Sequence, residues 1–281
     1  MRLKLDDYRQ RSIQQLRLRL PEVIKEPNIL PIIEYSLFAS SKLLRPLLIY
    51  FLGHDLFNLP LEALDAAAGA IELMHTFSLI HDDLPAMDND RLRRGKLASH
   101  LQFDEASAIL AGDGLAIAAS RYLMSDEYLP DTLKVALNQL LTKEALAMIE
   151  GQWMDLHPKK PLSLVELDRI SQFKTAAMIS FSAKAVAIIA KLSTNQANIL
   201  ADLGLHLGMA FQIQDDLLDY QQAKTPSTVN YVRIIGLAPT KNHLQLHYQK
   251  IAELATTLSL DTTGYLGLMK FIKNFLPLAL C

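Results

Sequence analysis

Seven aspartates in two tight groups carry most of the chemistry this sequence could perform. Asp82, Asp83, Asp88 and Asp90 lie in LIHDDLPAMDNDRLRRGK, where Arg91, Arg93 and Arg94 follow them; Asp215, Asp216 and Asp219 lie in AFQIQDDLLDY. Acidic residues usually decorate a solvated helix face, but each of these groups follows directly on an apolar stretch. Burying an unpaired carboxylate costs roughly several kcal/mol, so these groups call for a cation. Asp215 and Asp219, four apart, share a helix face, whereas a Leu-Pro-Ala insertion bends the chain between Asp82 and Asp88. Carboxylates with no accompanying histidine or cysteine set favour Mg²⁺ over Zn²⁺, and Mg²⁺ completes its shell with water and substrate phosphates. The arginines add guanidinium forks for phosphate at the same end. Two acidic clusters, one cationic cluster and long apolar segments together suggest an apolar molecule with a diphosphate head.

The elements that must position these groups are helices. Half of the 281 residues are hydrophobic and 21% are charged, enough apolar surface for a large core and too much for global disorder. Helical periodicity runs through LEALDAAAGAIELMHTFSLIHDD, DEASAILAGDGLAIAASRYLM, VALNQLLTKEALAMIEGQWMDL and LSLVELDRISQFKTAAMISFSAKAVAIIAKL. Breaks fall near 58–60, 129–131, 157–161 and 193–195, leaving helices of roughly 12 to 30 residues with short connections, as in a bundle. Alternating strand patterns and Asn-Gly or Asp-Gly hairpin signals are missing. No linker or repeat divides the chain, so residues 1–281 read as one all-α domain. A formal net charge of -2 argues against nucleic-acid binding, and the one cysteine, Cys281, excludes a disulfide framework or a cysteine zinc site. The first twenty residues are charged throughout, without the apolar stretch of a signal peptide, and no run of 18 apolar residues occurs; the expectation is a soluble, cytoplasmic protein without stable membrane insertion.

Over residues 35 to 220 the order and spacing of these motifs resemble the trans-isoprenyl diphosphate synthases, in particular the bacterial farnesyl diphosphate synthases. DDLPAMD matches the first aspartate-rich motif in its DDxxxxD form and FQIQDDLLD the second, 133 residues on. FDEASAILAGDGL, EGQWMDL with Gly151 and Gln152, and FKTAAMI with Lys174 and Thr175 match between them. The resemblance implies an isoprenoid-synthase-type bundle of about ten or more helices around a deep central cavity. It also implies Mg²⁺ (three ions with substrate bound), a homodimer, and condensation of isopentenyl diphosphate with dimethylallyl and geranyl diphosphate to farnesyl diphosphate.

Residue by residue, the resemblance makes Asp82, Asp88 and Asp215 the Mg²⁺ ligands. Asp83, Asp216 and Asp219 complete the catalytic set, with Asp83 and Asp219 acting through water or orienting the site. Arg93, Lys174, Thr175 and Gln212 fall on the allylic diphosphate. SSKLLRP resembles the family's GGKRLRP, which brings Lys42 and Arg45, with His75 and Arg94, to isopentenyl diphosphate. Phe77, about 7.5 Å below Asp82 at 1.5 Å per residue, would stop the growing chain near C15, with the small Ser78 beside it leaving room.

Two stretches depart from the family pattern. Ser40 and Ser41 replace a glycine pair, and because serine restricts φ the loop there is expected to differ. After Asp219 the usual lysines and further aspartate are missing from a shortened YQQAKTPSTVNYVRIIGL, where Lys224 could replace a lost lysine and Asn230-Tyr231-Val232 could stand for Thr-Tyr-Pro. Alternative readings are a geranyl or geranylgeranyl diphosphate synthase, or an impaired homologue acting as partner or scaffold. A terpene cyclase fits less well, because DDLLD stands where cyclases carry an Asn/Ser/Glu metal motif. A phosphohydrolase built on His81-Asp82 would need further histidines, and the remaining ones show no ligand spacing.

Overall fold

Alanine, leucine, isoleucine and methionine dominate the periodic segments, and in the computed structural model each becomes a helix; residues 5–221, 229–258 and 262–275 are described. More than ten helical segments follow one another among these residues, with a single two-residue hairpin as the only sheet. The all-α class expected from the periodicity is what the described residues show. The backbone gathers into two compact units, Met1–Thr142 and Lys143–Cys281, with one long helix, α7 (Asp131–Leu156), running across the boundary.

In the first unit α1 (Leu5–Val23), α2 (Leu30–Leu37) and α3 (Leu44–Tyr50) precede α4 (Glu62–Asp82), and α5 (Ser99–Gln102) and α6 (Glu105–Met124) follow. Helix α4 is the centre: it packs on α6 and α3, and Ala66, Ala67, Ala70, Ile71 and Leu73 are fully buried. Full burial of a side chain such as Ile71 or Leu73 contributes about 1.5–3 kcal/mol, while the alanines let neighbours approach closely. By length and composition α4 could cross a membrane, yet 78% of that window is buried inside the protein, the mark of a core helix. The hairpin β1 (Leu92–Arg93) and β2 (Lys96–Leu97) is an element the sequence did not announce. Its two turn residues, Arg94 (φ 54°) and Gly95 (φ 79°), both adopt positive φ, the requirement of a tight hairpin turn that Asn-Gly usually meets. Gly95 does this without strain, and Arg94 at a cost of about 1–2 kcal/mol.

In the second unit α8 (Leu164–Ser171) starts on a capping box between Ser163 and Glu166 and passes into a π-helical turn, Gln172–Ala176, before α9 (Ala177–Ile189). Helix α10 (Thr194–Gln221) packs against α9 and against α12 (Leu237–Thr257). The short α11 (Tyr231–Ile235) is capped by the buried Asn230, whose side-chain Oδ1 accepts from the amides of Val232 and Arg233. Helix α13 (Thr262–Phe275) completes the described chain.

Candidate active site

The first aspartate motif is a helix end followed by a tight loop. Asp82 is the last residue of α4, and the Asp88 amide donates to the Asp82 carbonyl at 2.9 Å, so a six-residue separation closes into one turn. Met87 and Asn89 both donate to the Leu84 carbonyl, and Asn89 takes φ 53° to complete the reversal. The three acids of the motif then part company. Asp83 is buried, 2% exposed, and accepts from Arg93 Nε at 2.8 Å and from Arg93 Nη2; Asp82 is half-buried and Asp88 exposed. Burial pushes the Asp83 carboxyl up, and Arg93 partly restores it. Arg93 also donates to Asp90 at 2.8 Å, so the guanidinium assigned to a diphosphate braces its own loop.

The second motif shows the same division. Asp215 is exposed and Asp219 half-buried, whereas Asp216 turns inward and accepts from the Tyr231 amide at 2.7 Å and from Gln212 Nε2 at 2.9 Å. Burial drives the Asp216 carboxyl up to about 7; those two hydrogen bonds oppose the rise, and the charges of Asp215 and Asp219 add to it. Gln212 also accepts from Thr175 Oγ1 at 2.6 Å, so Thr175, Gln212, Asp216 and the Tyr231 amide form one chain of bonds. Gln212 therefore commits both ends of its amide to protein partners. Among the described residues no group of three or more His, Cys, Asp or Glu side chains gathers as a metal cage. The outward acids offer oxygen donors only, the chemistry suited to an ion that takes one or two carboxylates and completes its shell with phosphate oxygens.

Lys174 sits in the π-helical turn and is ion-paired with Asp155 of α7, an acid in EGQWMDL that the sequence reading quoted without giving it a role. Two glycines hold this turn. A Cβ on Gly151 would lie 2.2 Å from the Lys174 amide nitrogen, and one on Gly208 would lie 2.4 Å from Ala176 Cα. Only residues without a side chain permit α7 and α10 to approach the turn's backbone so closely. π-Helical turns often mark functional positions, because the extra residue re-aims the side chains around it.

The residues expected at isopentenyl diphosphate collect in the first unit. Arg45, 8% exposed on α3, and Arg94, on the hairpin turn, both neighbour Glu72, which is 1% exposed on α4. Arg94 lies 3.7 Å from the Glu72 carboxylate and donates to the Ser36 carbonyl at 3.2 Å. Burial and the charge of Arg94 pull Arg45 down to about 10, against the pull of Glu72. His75, one helical turn beyond Glu72, is pushed well below the usual imidazole range by burial and by Arg45, Arg94 and Arg93, so it stands neutral. Lys42 is exposed, with its carbonyl accepting from Arg9. The serine pair is not the strained part of this loop: Leu43 takes the positive φ, 50°, and Ser41 Oγ accepts from the Leu43 amide.

Phe77 and Ser78 are both half-buried on α4; the Phe77 ring meets His81 edge-on at 4.9 Å, and Ser78 Oγ donates to the His75 carbonyl. His81 lies 3.1 Å from the Ile109 carbonyl and occupies the space a Cβ on Gly112 would need, so it packs α4 on α6. Lys224 lies outside the described residues. Three other histidines form a hydrogen-bonded cluster in the second unit. His243 and His247 are four apart on α12, and the fold brings His206 to 2.8 Å from His247 and His243 to 2.8 Å from Asp168, which also accepts from the Tyr231 hydroxyl. This network anchors the residue whose amide caps Asp216.

Comparisons with known proteins agree with the motifs. Residues 26–229 match the Polyprenyl synthetase family model. A farnesyl diphosphate synthase of Geobacillus stearothermophilus is 40% identical over 231 residues, 76% of this chain and 77% of that protein. One from Haemophilus influenzae is 36% identical over 90% of this chain and 94% of its own length. Among solved structures, a geranyltransferase from Legionella pneumophila superposes with a TM-score of 0.88 at 33% identity, covering 97% of this chain and 95% of that one. With both aspartate motifs, the arginine hairpin and the Lys174 turn in place, the chain belongs to the polyprenyl synthetase family.

Proposed function

We propose that this protein is a trans-prenyltransferase that condenses isopentenyl diphosphate with dimethylallyl and then geranyl diphosphate to give farnesyl diphosphate. The observation that carries the reading is the pair of aspartate motifs with the arginine pair and the Lys174 segment, within a match spanning 26–229 and with farnesyl diphosphate synthases as relatives over most of the chain. A superposition covering 97% of this chain on one solved geranyltransferase supports treating residues 1–281 as one synthase domain.

In each cycle the allylic C–O bond breaks and diphosphate departs with the electron pair. The isopentenyl double bond attacks the allylic carbon, and a proton leaves the adduct. The main demand is stabilisation of charge on the departing diphosphate. Mg²⁺, three ions in the full complex, would supply electrostatic stabilisation there, held by Asp82 and Asp88 in one motif and Asp215 in the other. Asp219 lies one helical turn from Asp215 on the same face and would orient bound water. Asp83 and Asp216, tied to protein donors, would keep Arg93 and Gln212 in place. Arg93, Lys174 and Thr175 would meet the allylic diphosphate once Arg93 and Lys174 exchange their carboxylate partners for phosphate. Lys42, Arg45, Arg94 and neutral His75 would take isopentenyl diphosphate. Phe77 would stop chain growth near C15, with Ser78 leaving room beside it.

A homodimer is part of the reading. On α6, Leu110, Ile117 and Met124 recur every seven residues and are 59%, 73% and 38% exposed, an apolar stripe suited to burial against a second copy. The deciding experiment incubates purified protein with Mg²⁺, isopentenyl diphosphate and dimethylallyl diphosphate. A dominant C15 product is expected; a C10 or C20 product would overturn the chain length but keep the chemistry, and no product, with geranyl diphosphate also failing, would overturn the reading. Light scattering on the same sample should give twice 31.4 kDa, and a monomer mass would remove the dimer.

A further inference from the structure

Three separate stretches of the first unit converge on one buried carboxylate. Glu72 is 1% exposed within the apolar stretch AAAGAIELM of α4. Ser41 Oγ, from the loop before α3, donates to it at 3.5 Å; Arg94 Nη2, from the hairpin turn, lies 3.7 Å away; and the charge of Arg45, from α3, acts on it directly. Its contacts with Ser41 and Arg94 are long, not the close fork of a closed structural ion pair. Arg45 Nε is buried without a hydrogen-bond partner. Two guanidiniums that repel one another are thus gathered around one carboxylate, with cationic capacity left over.

We propose that Glu72 is a positioning residue that holds Arg45 and Arg94 together in the orientation in which they receive the diphosphate of isopentenyl diphosphate, an inference that rests on the function proposed above. Electrostatics alone argues the opposite for such a residue: a carboxylate beside an anion site weakens anion binding. Its place there makes sense if orientation outweighs that repulsion. Arg94 reaches the cluster from a strained turn residue and Arg45 from a helix N-terminal turn, and Glu72, on the rigid α4, is the anion adjacent to both. His75, three residues on along α4, is held toward its neutral form by burial and by the arginines, so it adds no further charge.

The two effects predict opposite signs for Glu72→Gln, which keeps the shape and removes the charge. If orientation governs, the KM for isopentenyl diphosphate rises about tenfold, the KM for geranyl diphosphate stays within about twofold, and kcat falls less than kcat/KM. Glu72→Asp should fall between the two and serves also if the glutamine variant fails to fold by circular dichroism. An isopentenyl diphosphate KM that is unchanged or lower in the variants, or a loss of thermal stability with both KM values unchanged, would overturn the proposal. Calorimetric titration with isopentenyl diphosphate alone separates the two levels of inference. A wild-type chain that makes no product at all counts against the proposed function. Weaker binding by Glu72→Gln than by wild type still supports the role of Glu72, and equal, tighter or undetectable wild-type binding refutes it.

Discussion

Two adjacent aspartates in each motif look equivalent in sequence, and their environments make them different. Asp82 and Asp215 keep contact with solvent, while Asp83 and Asp216 are drawn inward onto Arg93 and onto Gln212 with the Tyr231 amide. A buried carboxylate bonded by protein donors is a brace, and one in contact with solvent stands where an ion can reach it. Asp83→Ala should therefore act mainly through Arg93. It removes the buried partner of a guanidinium that is itself only a third exposed, so thermal unfolding should register a loss of about 2 kcal/mol, and kcat/KM should fall by about a hundredfold. Asp83→Asn, which retains an acceptor, should lose less on both measures. Equal stability in all three proteins would show that the Arg93 pair is not a brace. Helical spacing showed that Asp215 and Asp219 share a face. It could not show that Asp216 meets an amide fifteen residues on, because that contact depends on where the chain returns.

At the scale of elements, the functional side chains ride on local irregularities of an otherwise regular bundle. The π-helical turn Gln172–Ala176 presents Lys174 and Thr175, and the positive-φ turn at Arg94 and Gly95 presents the arginines. Gly151→Ala places a methyl group 2.2 Å from the Lys174 amide nitrogen, against backbone that cannot rotate aside. The turn must shift, at a cost of about 1–3 kcal/mol, and Lys174 must shift with it. The expected outcome is near-native helical content by circular dichroism with prenyl transfer reduced about a hundredfold; wild-type kinetics would mean that the turn accommodates the methyl group. Sequence periodicity announced these helices well, and their breaks fell close to the observed ends, because apolar spacing is a local property. The hairpin went unannounced because Arg-Gly is a weak turn signal, and the π-helical turn because inserting one residue into a helix leaves almost no mark on composition.

For the whole molecule, the stability of the folded chain should depend on the histidines that the fold assembles. Burial, with the neighbouring His206 and His243, pushes His247 from 6.5 down to about 4, against the pull of Asp168. The unfolded chain then takes up this proton first as pH falls. The contribution is full above about pH 6.5, erodes as pH drops, and is gone near pH 4. Allowing for partial exposure, about 1–2 kcal/mol is at stake. Thermal unfolding between pH 7 and 4 should show a shallower decline for His247→Phe than for wild type; parallel declines would remove His247 as the cause. Spacing on α12 places His243 and His247 together, but His206 and Asp168 join them only through tertiary packing.

The sequence by itself determined the helical class, the two aspartate motifs, the arginine pair and the likeness to prenyl synthases, because residue types at short spacing carry that information. Tertiary structure decided which acid of each pair faces inward, that Lys174 rests on Asp155, that Glu72 stands between Arg45 and Arg94, and that three histidines meet. A helix's period says which residues share a face, but the donor or charge that face meets comes from chain tens of residues away. Only packing fixes that meeting, and with it the protonation and orientation on which the chemistry depends.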